Sequence, residues 1–82
     1  MAAPITVDRF VKELVKLKGE MDLGRLASGE YDQRLSRVIQ ELRDRGIDAD
    51  RAELTSAIDG ALDQGVITAA VKDHLVRRLG LT

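Results

Sequence analysis

The segment that decides the fold spans residues 31–46 and reads YDQRLSRVIQELRDRG. Its apolar side chains recur every three or four residues, so a helix places them on one narrow face: Tyr31, Leu35, Val38, Ile39 and Leu42. Polar side chains fill the opposite face. Gly46 then supplies the residue type that most readily adopts the left-handed conformation at a helix C-terminus. The pattern predicts an amphipathic helix over residues 32–45.

Glycines punctuate the rest of the chain in a similar way. Three glycines each come at the end of a helix-like run: Gly29, Gly46 and Gly65. Within the next three residues, each has an apolar side chain and an Asp or Thr. Such a sequence indicates a glycine that closes one helix and a side-chain oxygen that caps the next one. Gly60 lies inside a predicted helix, where it costs about 1 kcal/mol relative to alanine. We therefore expect another backbone to approach it closely.

These patterns define an all-α fold class. No alternating apolar run is long enough for a strand. With 82 residues, the chain has room for a single domain over residues 1–82, and we expect residues 1–5 to form a flexible extension. We expect a compact bundle of four main helices at about residues 7–18, 32–45, 49–64 and 69–79. We also expect a bend near Gly19 and a short helical turn near residues 22–28.

The composition narrows the possible functions. Thirteen basic and fourteen acidic residues give a net charge of −1, so no strong overall field favours DNA or an anionic membrane. The chain contains no cysteine, which excludes disulfides, thiolate zinc sites and a cysteine nucleophile. It also contains no tryptophan, which removes one stacking platform for single-stranded nucleic acid. No targeting segment and no apolar run of membrane-spanning length is visible. We expect a cytoplasmic protein without membrane attachment.

Residues that could carry catalysis are scarce. His74 is the only histidine, and no serine lies in a nucleophile motif. No glycine-rich phosphate loop is present. A calcium loop that began at Asp48 would need glycine at its sixth position, where the chain has Glu53. We therefore expect no enzyme activity, no catalytic, metal or cofactor-binding residues, and no small-molecule substrate.

The first helix gives the main functional hypothesis. Its apolar side chains cover a face wider than the usual stripe of about 100°. A domain of this size also buries only about 60–65% of its unfolded surface, so a second chain would help to complete its core. We expect a protein–protein interaction module (an adaptor, assembly or regulatory subunit) that forms a homodimer through the following side chains: Val7, Phe10, Val11, Leu14, Val15 and Leu17.

DNA binding is the alternative. Residues 57–76 resemble the helix-turn-helix motif of transcriptional regulators in the small residue Ala61, in Gly65 and in the aliphatic Val66 and Val71. His74 departs from that pattern, because the motif has an aliphatic residue there. The resemblance implies DNA contacts by four residues in or beside the last helix: Thr68, Lys72, Arg77 and Arg78.

Overall fold

The computed structural model describes residues 4–81. Its four helices are α1 (Val7–Asp22), α2 (Glu30–Arg45), α3 (Arg51–Asp63) and α4 (Ala69–Arg78). They confirm the predicted all-α bundle of four helices. Helix α1 packs against both α2 and α3, and α4 packs against α3.

Side-chain caps begin three of the helices. The side chains of Thr6, Asp50 and Thr68 each accept a hydrogen bond from the backbone N–H three residues later, at 3.2, 2.8 and 3.2 Å. Helix α2 is different, because it follows Gly29 in the left-handed conformation without a side-chain cap. It therefore begins at Glu30, two residues before the predicted start.

Helix α1 runs through Gly19 without interruption, which corrects the prediction that it ends at about residue 18. The helix continues to Asp22 and closes at Gly24, whose φ is +71°. The Gly24 N–H donates to the Met21 carbonyl, and the Arg25 N–H donates to the Glu20 carbonyl. This Schellman arrangement satisfies carbonyls at the end of the helix. Residues 23–29 then form turns and bends in place of the predicted helical turn.

The segment before α1 is attached to the bundle. The Ile5 N–H donates to the Gly46 carbonyl at 3.0 Å, and the Asp48 N–H donates to the Ile5 carbonyl at 2.8 Å. These bonds form a short parallel bridge between Ile5 and Ile47, and the Ile5 side chain is buried. The prediction of a flexible extension over residues 1–5 is therefore wrong at Ile5. Residues 1–3 of that prediction lie outside the described residues.

An aliphatic core with one aromatic ring holds the helices together. Each of the four helices contributes at least one of the five largest fully buried side chains: Phe10, Leu14, Ile39, Ile58 and Leu75. Within residues 4–81 no polar or charged residue is buried. The fold therefore depends on apolar burial, and its ion pairs lie at the surface.

The environment of Gly60 leads to the first testable prediction. A Cβ atom at Gly60 would meet no neighbouring atom within 4 Å, so the expected close helix crossing is absent. Because alanine is the better helix former, we expect Gly60→Ala to raise the free energy of unfolding by about 1 kcal/mol.

Urea denaturation followed by circular dichroism measures this change. Gly24→Ala is the matched control, because an equally open site there has a positive φ that disfavours a Cβ atom. It should destabilise the protein by about 1 kcal/mol. Equal effects of the two substitutions would contradict the conformations assigned to these glycines.

Candidate interaction surfaces

Helix α1 divides the six predicted partner-binding residues into two groups. Phe10, Leu14 and Leu17 are buried within a single protomer. Their prediction as a partner surface is wrong, because α2 and α3 both pack on this helix and cover them. Val7 and Val11 are half-buried, whereas Val15 keeps 49% of its surface exposed. These three valines form what we call the α1 ridge.

The α1 ridge has a regular geometry. Its valines are spaced by four residues, which places them one turn apart along one side of a helix. Gly19 continues the same spacing, is exposed, and has open space around the position of a Cβ atom. The ridge therefore presents half-exposed aliphatic side chains followed by a site where another backbone can approach closely.

Two more apolar side chains are exposed where α1 ends. Met21 is 46% exposed and Leu23 is 68% exposed. Neither of them is among the six residues predicted for the partner surface. Their apolar character was the available signal, and only the uninterrupted course of α1 through Gly19 shows where they lie.

Ion pairs join α1 to the antiparallel α2. Arg9 bonds Glu41 at 3.0 Å near one end, and Arg34 pairs with Glu20 near the other. Arg34 also bonds Glu30 at 3.2 Å within α2. The Ala27 N–H donates to Glu30 and, with Arg34, holds the pKa of that carboxyl below its ordinary value.

A groove of about 360 Å³ lies between α1 and α2. Buried side chains such as Phe10 and Leu17 contribute to its floor, and four basic and four acidic residues line it. Most of these charges pair with each other across or along the helices. The groove therefore has no net charge that would select a ligand.

Helices α3 and α4 carry the residues predicted for DNA binding. The Thr68 hydroxyl caps α4, and the Lys72 ammonium lies 2.6 Å from the Asp59 carboxylate. Asp59, assisted by Asp73 and Asp63, raises the pKa of Lys72. Two of the four predicted DNA-binding residues therefore already have partners in the fold, and Lys72 lies among carboxylates that would repel a phosphate.

The remaining two, Arg77 and Arg78, have a different environment. Both are exposed in the last turn of α4, and with Arg43 from the last turn of α2 they line one pocket. None of the three makes a hydrogen bond or ion pair within residues 4–81. We call this site the arginine pocket. The sequence pattern does not point to Arg43, because it lies 34 positions before Arg77.

Apolar side chains complete the arginine pocket, an open surface depression of about 520 Å³. Leu42 and Leu54 are buried, whereas Ile47 and Leu79 are half-buried. The bottom of the pocket, its base, is therefore aliphatic, and the three arginines form its positively charged rim.

Metal sites and membrane-spanning helices are both absent from the part of the chain that the structure describes. No group of three or more His, Asp or Glu side chains there is placed to hold a metal ion. No helix between residues 4 and 81 combines the length and the apolar character needed to cross a bilayer.

No protein-family model, no curated protein and no solved structure matches this chain.

Proposed function

We propose that this protein is a non-enzymatic interaction module, serving as an adaptor, assembly or regulatory subunit, and that it forms a homodimer through the α1 ridge. The observation that supports this proposal is the 49% exposure of Val15 on a helix whose other face is already covered by its own chain. Helix α1 is aliphatic on two sides, and the protomer itself fully covers only one of them. A cytoplasmic location is part of the same proposal.

The spacing of the ridge favours a two-fold symmetric contact. A dimer axis makes the same patch meet itself. If two α1 helices lie antiparallel, Val11 of one copy packs against Val15 of the other. Gly19, one turn beyond Val15, lets the second helix approach. A glycine inside a helix costs about 1 kcal/mol relative to alanine. Close packing of a second copy at Gly19 would offset that cost.

The expected affinity follows from the size of this contact. A 16-residue helix is roughly 24 Å long. A single pair of such helices buries less than the standard interface of about 1,600 Å². We therefore expect dissociation in the micromolar range, which is typical of small and reversible contacts.

The second testable prediction concerns this dimer. We expect Val11→Asp combined with Val15→Asp to abolish self-association and to leave the helical circular-dichroism spectrum unchanged. Four carboxylates would meet across the two-fold axis without a partner, and burying an unpaired charge is costly. Sedimentation equilibrium measures the loss as a fall in mass.

The control variant is Ser36→Asp combined with Gln40→Asp. It adds the same two charges at the same spacing, on exposed positions of α2. This variant should associate as the wild type does. Equal dissociation of both double variants would assign the effect to net charge and would contradict a dimer through the α1 ridge.

A DNA-binding regulator is the second candidate function. The specific observation in its favour is that Arg77 and Arg78 are exposed and have no partner within residues 4–81. If these residues bind phosphate, the protein should shift the electrophoretic mobility of duplex DNA in a salt-dependent way, and Arg77→Glu should remove that shift. The carboxylates around Lys72 make this function the weaker of the two.

A further inference from the structure

We propose that the arginine pocket binds an acidic peptide segment of a partner protein, with one aliphatic side chain of that segment inserted between the arginines. This inference gives the interaction module a second contact, separate from the α1 ridge. It extends the proposed function without depending on the homodimer, since the pocket lies between the C-terminal ends of α2 and α4.

The fold leaves the positive charge of the arginine pocket uncompensated. Outside the pocket, Arg9, Arg34 and Arg45 each bond a carboxylate, and Arg51 donates to the Gly80 carbonyl at 2.7 Å. Arg25 and Arg37 have no such bond within residues 4–81, but they do not line this pocket. Three arginines of the pocket have no such partner among residues 4–81. Like charges brought together repel each other, so an acidic ligand would relieve that repulsion as well as bond the guanidinium groups.

The helix dipoles do not account for this arrangement. A basic residue near a helix C-terminus is favourable in itself, and Arg43, Arg77 and Arg78 all have that position. That effect acts on each helix separately. It does not explain why the last turns of two helices lie beside the same pocket, above an aliphatic base.

The base of the pocket indicates which polyanion fits. Ile47 and Leu79 are partly accessible there, and burial of a leucine or isoleucine against them is favourable. A pocket of about 520 Å³ accommodates a side chain of that size. A DNA backbone offers no aliphatic group to fill it. The chemistry therefore favours an acidic peptide over a nucleic acid.

The experiment measures fluorescence anisotropy of a labelled nine-residue peptide of glutamates around a central leucine. We expect the wild type to bind it with a dissociation constant in the micromolar range, more weakly as salt is raised. Arg43→Ala combined with Arg78→Ala should weaken binding about tenfold or more. A peptide with serine in place of the leucine should also bind less tightly.

The matched control is Arg25→Ala combined with Arg37→Ala. It removes the same charge from two exposed arginines outside the pocket, and it should bind the peptide within about twofold of the wild type. Val11→Asp combined with Val15→Asp should also retain binding, so failure of the dimer and failure of the pocket are distinguishable. Unlabelled duplex DNA should displace the peptide only weakly.

Three results would overturn the proposal. The first is absence of peptide binding by the wild type. The second is an equal loss of binding in the pocket variant and the arginine control, which would show attraction to net charge alone. The third is tighter binding of duplex DNA than of the peptide, which would assign the pocket to a nucleic acid.

Discussion

Phe10→Ala is expected to lower the free energy of unfolding by about 3–5 kcal/mol. Phe10 is fully buried in α1, and it is the only phenylalanine of the chain. Its removal leaves a cavity in the helix that packs against both α2 and α3. A domain of this length has a total stability of roughly 4–12 kcal/mol, so the variant should lose a large part of it. Urea denaturation followed by circular dichroism measures the change.

Lys12→Ala provides the control for Phe10→Ala. Lys12 is exposed on the same helix, and its replacement should change stability by no more than about 0.5 kcal/mol. A loss below about 1 kcal/mol for Phe10→Ala would contradict the central position of α1 in the core.

The second large effect is expected for Ile5→Ala, at about 2–4 kcal/mol of destabilisation. The Ile5 side chain is buried before the first helix begins, and its backbone bonds Gly46 and Asp48. Loss of the side chain should therefore weaken both the core and the attachment of this segment to the loop after α2. Chemical denaturation measures the stability.

Hydrogen exchange separates these two consequences. The Asp48 amide, which donates to the Ile5 carbonyl, should exchange faster in Ile5→Ala than the amides within α3. Pro4→Ala, at the neighbouring exposed position, should leave that amide protected. An unchanged exchange rate for Asp48 in Ile5→Ala would show that the bridge does not depend on the buried side chain.

Local signals were sufficient to predict most of the helices. The Thr68 cap, the stop at Gly65 and the periodicity of residues 31–46 each depend on contacts within a few positions of the chain. The same logic failed at Gly19, because a lone glycine inside a helix weakens it by only about 1 kcal/mol. The favourable αL position at Gly24 allowed α1 to continue. The bridge between Ile5 and Ile47 joins distant segments, and no local pattern predicts it.

The candidate surfaces were also predictable only where they depend on local patterns. Periodicity identified α1 as apolar on two sides, and Val15 is indeed exposed. It could not determine that α2 and α3 would cover Phe10, Leu14 and Leu17. The arginine pocket depends on the position of the end of α2 near the end of α4, and local patterns predicted a role for only two of its three arginines. Which surface an exposed side chain belongs to is decided by tertiary packing.

The mass of the wild-type protein in solution tests the central claim most directly. Sedimentation equilibrium over about 5 to 500 µM spans the micromolar dissociation expected for a contact of this size. The measured mass should rise with concentration from the 9.0 kDa of the chain toward twice that value. A constant mass of one chain up to the highest concentration would contradict self-association through the α1 ridge.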